Sequence, residues 1–284
     1  METFLAPLDD ELAKLAYGVQ TFDAALQTSF NLHAYVIFKF GDLIAIRKLL
    51  GVKGHNSLCP CRSCKISGVR NPNARGKIFY VPHVTPQNGY HTRDDVDMTK
   101  LPMRKHSDFT EILERIQAVV SEARKDDIAK TFSIARPATL TRVSSIDLAK
   151  SVPWDWLHLL YLNVIPNLVM LWMGEFKQLD CGTEDYMISK KDWKAIGEET
   201  ANAVKNIPAA FVCILSDISK DRASFTAESW GFWFMYIAPI VLNGRFKLKK
   251  YYNHMCLLVR IMKMTLKYEI SLGNCRGNPR ILFG

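Results

Sequence analysis

The sequence of 284 residues lacks several motifs that identify common enzyme classes. It has no phosphate-binding loop of the form G-x-x-x-x-G-K-[ST], no G-x-S-x-G elbow and no H-E-x-x-H pair. P-loop nucleotide hydrolysis and serine-hydrolase chemistry therefore find no support. Internal repeats and low-complexity linkers are absent as well, and a composition of 48% hydrophobic and 23% charged residues argues against a disordered or fibrous chain.

Apolar runs long enough to cross a bilayer are also missing. Leu159–Gly174 and Ser229–Gly244 carry no charge, but each has 16 residues, fewer than the ~20 that a spanning helix needs. Each run contains a proline, Pro166 in the first and Pro239 in the second. We predict that both runs are buried core helices and that the protein has no membrane partner. A small membrane protein with two spans is the alternative.

A secretory signal is not expected, because Met1–Leu12 carries acids instead of a basic stretch followed by an apolar one. The seven cysteines are then expected to be free or metal-bound in a reducing compartment. Cys61 and Cys64 have the C-x-x-C spacing that lets two thiolates bind one tetrahedral Zn²⁺. Zinc needs further ligands, and the candidates are Cys59, His55, His83 and His254.

Positive charge is in excess and unevenly distributed. The chain has 37 Lys and Arg against 28 Asp and Glu, a formal net charge of +9. Nine of the bases and one acid lie in Arg245–Gly284, so this segment holds nearly the whole excess. A basic segment suits a polyanionic partner such as DNA, and its predicted contacts are Arg245, Lys247, Lys249 and Lys250. The alternative is a solvated helix face followed by a frayed tail.

The N-terminal region predicts a helix, a strand and a second helix. The first helix is predicted to start at Pro7, with acids in its first turn, and to stop at Gly18. The aromatic and β-branched run Leu32–Phe40 predicts a strand, and Leu43–Leu50 predicts a short helix. Asp42 lies between these two elements. It either binds a ligand or metal at the end of the strand or caps the helix.

After an irregular segment around the cysteines, the chain is predicted to be mostly helical. The apolar periodicity of Asp108–Lys130 predicts one amphipathic helix. Asp155 and His158 are three residues apart and would share one face of a helix over 155–173. Glu228 either stabilises the first turn of the helix at whose start it lies or serves as a metal ligand in front of that aromatic helix.

These patterns predict an α+β fold that is predominantly helical. Its first segment, 1–52, contains the helix, the strand with Asp42 and the second helix. The remaining segments are the cysteine-containing loop region 53–107, a helical insertion 108–220, and C-terminal helices with Glu228 and the basic residues in 221–284.

Taken in order along the chain, the motifs resemble those of CACTA-type transposases and their fungal Kyakuja–Dileera–Zisupton relatives. Because the similar segments follow one order over nearly the whole chain, they are more specific than any single motif. These segments are Phe4–Leu12, Gly41–Leu43, Lys53–Asn56, Pro60–Arg70, Asp155–Asn163, Trp172–Gly174, Phe225–Trp230 and Tyr251–His254.

The resemblance implies a partial RNase H-like fold with a large helical insertion and a DDE/D set of carboxylates. By position, Asp42 corresponds to the second carboxylate and Glu228 to the third. Asp155 and His158 correspond to an insertion motif and join the implied catalytic set, with His158 near a phosphate or a flipped base. In this family the carboxylates bind two Mg²⁺ or Mn²⁺ ions that support attack on DNA phosphodiesters.

The resemblance also implies a second metal, a partner and a location. Cys61 and Cys64 correspond to the other insertion motif and would anchor a structural Zn²⁺. The implied partner is DNA, both transposon ends and target DNA, in the nucleus. Self-association into a homo-oligomer is compatible with this role.

One departure from the family pattern concerns its first Asp. That residue lies on a strand upstream of the helix that starts at Pro7, and this sequence does not contain it. We therefore expect a truncated or decayed DDE/D transposase that does not cleave DNA by itself. Two other functions are open: a non-catalytic, zinc-stabilised DNA- or protein-binding module, and the small membrane protein.

Overall fold

The computed structural model describes residues 2–70, 79–81, 95–97, 99–139, 141, 143–176, 183–208, 210–211 and 215–269. The chain forms two compact units, residues 1–155 and residues 156–284. The boundary between them falls inside the segment 108–220 that the sequence predicts as a helical insertion. About half of the chain is helical and its strands are few and short, which confirms the predominantly helical α+β class.

The first unit combines four helices with two antiparallel strand pairs within the described ranges. Strands β1 and β2 pair from Val19 opposite Leu32 to Asp23 opposite Thr28, and β3 pairs with β4 through Val69 opposite Tyr80. The elements are α1 (Glu2–Tyr17), β1 (Val19–Asp23), β2 (Thr28–Leu32), α2 (Leu43–Leu49), β3 (Val69–Arg70), β4 (Phe79–Tyr80), α3 (His106–Gln117) and α4 (Glu122–Phe132).

Helix α1 ends where the sequence predicts, at Gly18, which adopts a φ of 119°. The N–H of Gly18 donates to the carbonyl of Lys14. A left-handed backbone is favourable for glycine because it has no Cβ. The helix begins at Glu2, which is earlier than the predicted start at Pro7.

The strand predicted for Leu32–Phe40 is wrong. Strand β2 ends at Leu32, and residues 33–42 have no regular secondary structure. Their backbone donors pair with separate parts of the unit: Ala34 with the carbonyl of Leu15, and Lys39 with that of Ser151. Because strand propensity depends on a neighbouring strand to pair with, these tertiary hydrogen bonds outweigh the aromatic and β-branched composition.

The single helix predicted for Asp108–Lys130 is two helices, α3 and α4, separated by residues 118–121. The chain folds back at this break, and the two helices contact each other. Ile112 of α3 and Ala129 of α4 are both buried, whereas Val120 in the break is 94% exposed. The break therefore lets both short helices bury their apolar faces, which one straight helix would not do.

The second unit is helical throughout its described elements. Its core is built from aromatic and aliphatic side chains of all the longer segments. The elements are a π-helical stretch (Leu157–Val164), α5 (Ile165–Trp172), α6 (Lys190–Ala203), a 3₁₀ turn (Val204–Asn206), α7 (Ile218–Asp221), a 3₁₀ turn (Arg222–Ser224), α8 (Ala227–Phe232), a second π-helical stretch (Trp233–Ile237), α9 (Ala238–Val241) and α10 (Lys249–Thr265).

The two uncharged runs form core helices, as predicted, and both have the same interruption. A π-helical stretch leads into α5, and the second leads into α9. Pro166 and Pro239 occupy the first turns of α5 and α9. Because proline lacks the N–H of a regular helical hydrogen bond, the wider π turn accommodates the missing donor. Within the described ranges, none of the helices has the length and apolar character that a bilayer crossing requires.

Aromatic rings pack against one another in the core of the second unit. Trp172 stacks on Phe234 with ring centroids 6.4 Å apart and meets Phe246 edge-on at 5.3 Å. The indole Nε1 of the fully buried Trp233 donates to Thr200 Oγ1 at 3.0 Å. The buried N–H of Trp233 is thereby paired with a hydroxyl, so its burial carries little penalty.

Candidate functional site

The turn that contains Cys61 and Cys64 brings both thiols together. The backbone N–H groups of Ser63 and Cys64 each donate to Cys61 Sγ at 3.3 Å. A hydrogen bond from the Cys64 side chain lowers the pKa of Cys61 to about 6, and the same bond raises the pKa of Cys64. A thiolate that accepts backbone N–H bonds in a C-x-x-C turn is suited to bind a metal ion together with its neighbour.

Two arginines fix this turn to the rest of the first unit. Arg104, which is 5% exposed, donates from Nε to the carbonyl of Cys61 at 3.1 Å and from Nη2 to the carbonyls of Cys59 and Phe132. Arg62 is 7% exposed, lies 4.1 Å from the centre of the Trp154 ring, and donates from Nη2 to the carbonyl of Pro153. Main-chain carbonyls of an irregular loop thus find donors in long side chains.

The other predicted zinc ligands lie in several different places. Cys59 is buried, with its Sγ donating to the carbonyl of Thr131 at 3.4 Å. His55 is exposed in the first unit, and His254 is exposed on α10 in the second. His83 lies outside the described residues. Among the residues the structure describes, no three His, Cys, Asp or Glu side chains are grouped so that they could hold a metal ion.

The two predicted carboxylate ligands both stand at helix N-termini, one in each unit. Asp42 caps α2 and accepts a hydrogen bond from the N–H of Ala45 at 2.6 Å. Glu228 lies in the first turn of α8, where Thr226 provides the cap by accepting from the N–H of Ser229 at 3.2 Å. The structure therefore confirms that Asp42 caps its helix and that Glu228 lies in the first turn of a helix capped by Thr226. Both carboxylates lie near the partial positive charge of a helix start.

The pair Asp155 and His158 is divided between the two units. Asp155 is the last residue of the first unit and precedes the helical segment. His158 lies one residue into the π-helical stretch Leu157–Val164 of the second unit. The sequence places both on one helix over 155–173, and this is wrong for Asp155, because the helical backbone starts only after it.

The predicted DNA contacts fall into two groups. Arg245 forms ion pairs with Asp192 at 3.0 Å and with Glu199 at 2.6 Å, and Lys247 lies 3.6 Å from Asp185. Arg245 therefore fixes the segment before α10 to helix α6. The second group consists of Lys249 and Lys250, which are exposed at the start of α10.

Sequence reasoning missed a cavity beside α6 in the second unit, here named the α6 cavity. Its volume is about 350 Å³, and its lining includes Trp193, Lys190, Lys194 and Lys220. The sequence contains one signal for it, since Lys190 and Lys194 are four residues apart and share a helix face with Trp193 between them. Lys220 reaches the cavity from another helix, so only the tertiary structure adds it.

Comparison with models of protein families gives a match to a transposase family. The family model of transposase family tnp2 matches residues 1–105, which include Asp42 and the turn with Cys61 and Cys64. The match supports a transposase. No curated protein and no solved structure matches the chain.

Proposed function

We propose that the chain is a DNA-binding protein derived from a DDE/D transposase of the CACTA or Kyakuja–Dileera–Zisupton type, acting in the nucleus. The match of residues 1–105 to transposase family tnp2 is the observation that carries this proposal. The motif order along the rest of the chain supports the finer type. The excess of positive charge, +9 for the whole chain, suits a phosphate backbone as partner.

Phosphate contacts are assigned to Lys249 and Lys250. Both are exposed at the start of α10, whereas Arg245 is held by two acids. Each phosphate contact adds about 0.9 to the slope of log affinity against log salt for duplex DNA. The two lysines together should therefore contribute about 2 to that slope.

Fluorescence anisotropy with a labelled duplex at several salt concentrations tests DNA binding. The variant Lys249→Gln/Lys250→Gln should bind more weakly at low salt and show a slope smaller by about 2. Lys14→Gln is the matched control, since Lys14 is exposed and paired with Glu11. Absence of salt-dependent binding by the parent protein would refute the proposed function.

A structural zinc ion is the first metal we propose. Cys61 and Cys64 fit as two of its four ligands, because their thiols lie together and Cys61 Sγ already accepts two N–H groups. The ion would cross-link the turn and so stabilise a loop that has little regular structure. Cys59 and the two histidines His55 and His254 are weaker candidates, since none lies in a described three-ligand group.

Metal analysis of matched serine variants tests the zinc site. We expect about one zinc per chain in the parent protein and in Cys256→Ser, and its loss in Cys61→Ser. Cys256 is the control because it is a free thiol on α10. The unfolding midpoint should fall with a chelator in the parent and not in Cys61→Ser. Zinc retained by Cys61→Ser would contradict the assignment.

Asp42 and Glu228 are the proposed ligands for Mg²⁺ or Mn²⁺, the ions that would activate the attacking oxygen when bound. The cap hydrogen bond uses Oδ1 of Asp42 and fixes the orientation of the carboxylate, which leaves Oδ2 for a cation. We propose further that the 284-residue polypeptide does not cleave DNA by itself. The resemblance assigns it only two of the three carboxylates, so a shared ligand of the metal pair is missing.

Nicking of supercoiled plasmid in Mg²⁺ or Mn²⁺ tests this point. The parent protein should leave the plasmid intact. Asp42→Asn and Glu228→Gln are suitable comparison variants, because asparagine keeps the helix cap while the negative charge is removed. Nicking by the parent that disappears in either variant would overturn the proposed inactivity and identify the carboxylates as catalytic.

A further inference from the structure

We propose that the α6 cavity binds one nucleotide of a DNA strand, with the phosphate facing the lysines and the base against the apolar wall. This inference rests on the proposed function, which supplies DNA as the partner. Neither the resemblance nor the tnp2 match assigns a role to this cavity. All the residues that line the cavity belong to the second unit.

The cavity has two kinds of lining. Ile188 and Trp193 are 3% and 5% exposed, and with Met173 they form an apolar wall. Lys190 and Lys194 are exposed at the same cavity. A volume of about 350 Å³ lies in the range of small-ligand sites, which are mostly apolar with a few polar groups that fix orientation.

A buried donor without a partner belongs to the same lining. The indole N–H of Trp193 is inaccessible to solvent and has no hydrogen-bond partner among the described residues. An unsatisfied buried donor costs about 1–3 kcal/mol. Trp193 lines the cavity, and a phosphate or base oxygen bound there is an acceptor of the kind that its N–H lacks.

The charge of the lining favours an anion. Lys190 and Lys194 form no ion pair with a described residue, and they lie in the first two turns of α6, a helix of 14 residues. Lys220 is paired with Asp217 at 2.7 Å. The one acid in the lining, Glu175, is paired with Arg222 outside it. The lining therefore has an excess of positive charge at a helix N-terminus, where phosphate groups bind.

Gly197 explains how α7 comes close enough to complete the cavity. A Cβ at this position would overlap Asp217 Oδ1 and lie 2.5 Å from Ser219 Oγ. The absence of a Cβ at Gly197 therefore leaves room for the side chains of Asp217 and Ser219 at the start of α7 to pack on α6. This contact places Ser219 and Lys220 in the cavity lining beside Trp193.

A nucleotide combines the two properties of the lining. Its phosphate matches the lysines, and its flat base matches an apolar wall that includes an indole. Inorganic phosphate would use only the lysines. An unpaired base in a DNA strand presents the same chemistry as a free nucleotide, and base-modifying enzymes bind such bases in pockets.

The test measures binding of thymidine monophosphate by calorimetry and, in parallel, binding of inorganic phosphate. The parent should bind the nucleotide at least about tenfold more tightly than phosphate. Trp193→Phe, which keeps an aromatic side chain but is smaller than the indole and lacks the N–H, and Lys194→Gln should each weaken nucleotide binding by about tenfold. Lys191→Gln is the matched control, because Lys191 is exposed on the same helix and does not line the cavity; it should change binding less than about twofold.

Three results would overturn the inference: no nucleotide binding, equal binding of nucleotide and phosphate, or equal binding by parent, Trp193→Phe and Lys194→Gln. Unfolding midpoints of all variants are compared first, so that a folding defect is recognised, and Lys194→Gln provides an exposed substitution where Trp193→Phe proves unstable. A labelled duplex with one unpaired nucleotide, compared with a fully paired duplex, distinguishes a DNA strand from a free nucleotide.

The duplex measurement also separates this inference from the proposed function. Salt-dependent duplex binding without nucleotide binding refutes the cavity assignment alone. Nucleotide binding that Trp193→Phe weakens, without any duplex binding, supports a nucleotide site in the cavity but refutes both DNA as the source of the nucleotide and the proposed function.

Discussion

The two units of the chain are stabilised by different kinds of side chain. The described core of the second unit contains 22 buried apolar residues, whereas that of the first contains 10. In the first unit, buried or nearly buried cationic side chains donate to backbone carbonyls: Arg104 to three, Arg62 to Pro153, and Lys39 to Thr139. In the second unit, large aromatic rings make up much of the buried core.

The difference follows from backbone regularity. A helix pairs its own N–H and C=O groups, so the second unit needs mainly apolar contact to hold its helices together. The first unit contains long stretches without regular structure, such as residues 33–42 and the cysteine turn. Its carbonyls need donors from elsewhere, because a buried polar group without a partner is costly.

The largest effect is expected from Trp233→Ala in the second unit. Trp233 is fully buried and its indole N–H is paired with Thr200. Its removal should lower the free energy of unfolding by about 3–5 kcal/mol, measured by denaturant unfolding followed by circular dichroism. Ile240→Ala is the control, as Ile240 is 73% exposed. Equal effects of the two substitutions would show that aromatic packing does not dominate this unit.

The next effect is expected from Arg104→Met in the first unit. Methionine keeps the approximate length of the side chain but leaves the carbonyls of Cys59, Cys61 and Phe132 without their donor. The free energy of unfolding should fall by about 2–4 kcal/mol. Arg124→Met, at an exposed position on α4, should be nearly neutral. A neutral Arg104→Met would remove the contrast between the units.

A pH effect is expected from Lys39. Burial lowers the pKa of Lys39 from 10.5 to about 8, with the charge of Asp9 opposing the shift. Between pH 8 and 10.5 the unfolded chain holds a proton on Lys39 that the folded chain has released, so stability due to this group rises with pH. Relative to Lys39→Met, the parent should gain on the order of 2 kcal/mol from pH 7.5 to 10.5.

Urea unfolding of both proteins at the two pH values measures this gain. The comparison with Lys39→Met removes the contributions of other groups that titrate in the same range. If the difference in the free energy of unfolding between the parent and Lys39→Met is the same at both pH values, the lowered pKa of Lys39 is contradicted.

The smallest effect concerns the break between α3 and α4. Val120→Gln should change the free energy of unfolding by less than about 0.5 kcal/mol, because Val120 is 94% exposed. Ile112→Ala, at a position that is 5% exposed, should cost about 2–4 kcal/mol. A large loss for Val120→Gln would favour the continuous helix that the periodicity predicts.

Local patterns allowed part of the fold to be predicted. The stop at Gly18 depends on one residue that tolerates a positive φ, and the two uncharged runs could be placed in a core because nothing in them needs water. The cysteine turn was visible from the spacing of Cys61 and Cys64. The strand at 32–40 was predicted wrongly, since its backbone donors pair with Leu15 and Ser151, far away in sequence.

The sequence predicted only those features of the candidate site that depend on residues adjacent in the chain. The helix-start positions of Asp42 and Glu228 follow from the residues next to them. The α6 cavity was not predictable, because Trp193 and Lys220 are 27 positions apart in the sequence and belong to different helices. Their proximity depends on the close packing that Gly197 permits.

By itself, the sequence determined the helical class, the two apolar core runs, the paired cysteines and the excess of positive charge, because each follows from neighbouring residues or from composition. The tertiary structure decided which polar groups are buried, where α3 and α4 separate, and that Arg245 is held by two acids. These outcomes depend on contacts between distant residues, and the free energy of such contacts outweighs local preference wherever a backbone group would otherwise lack a partner.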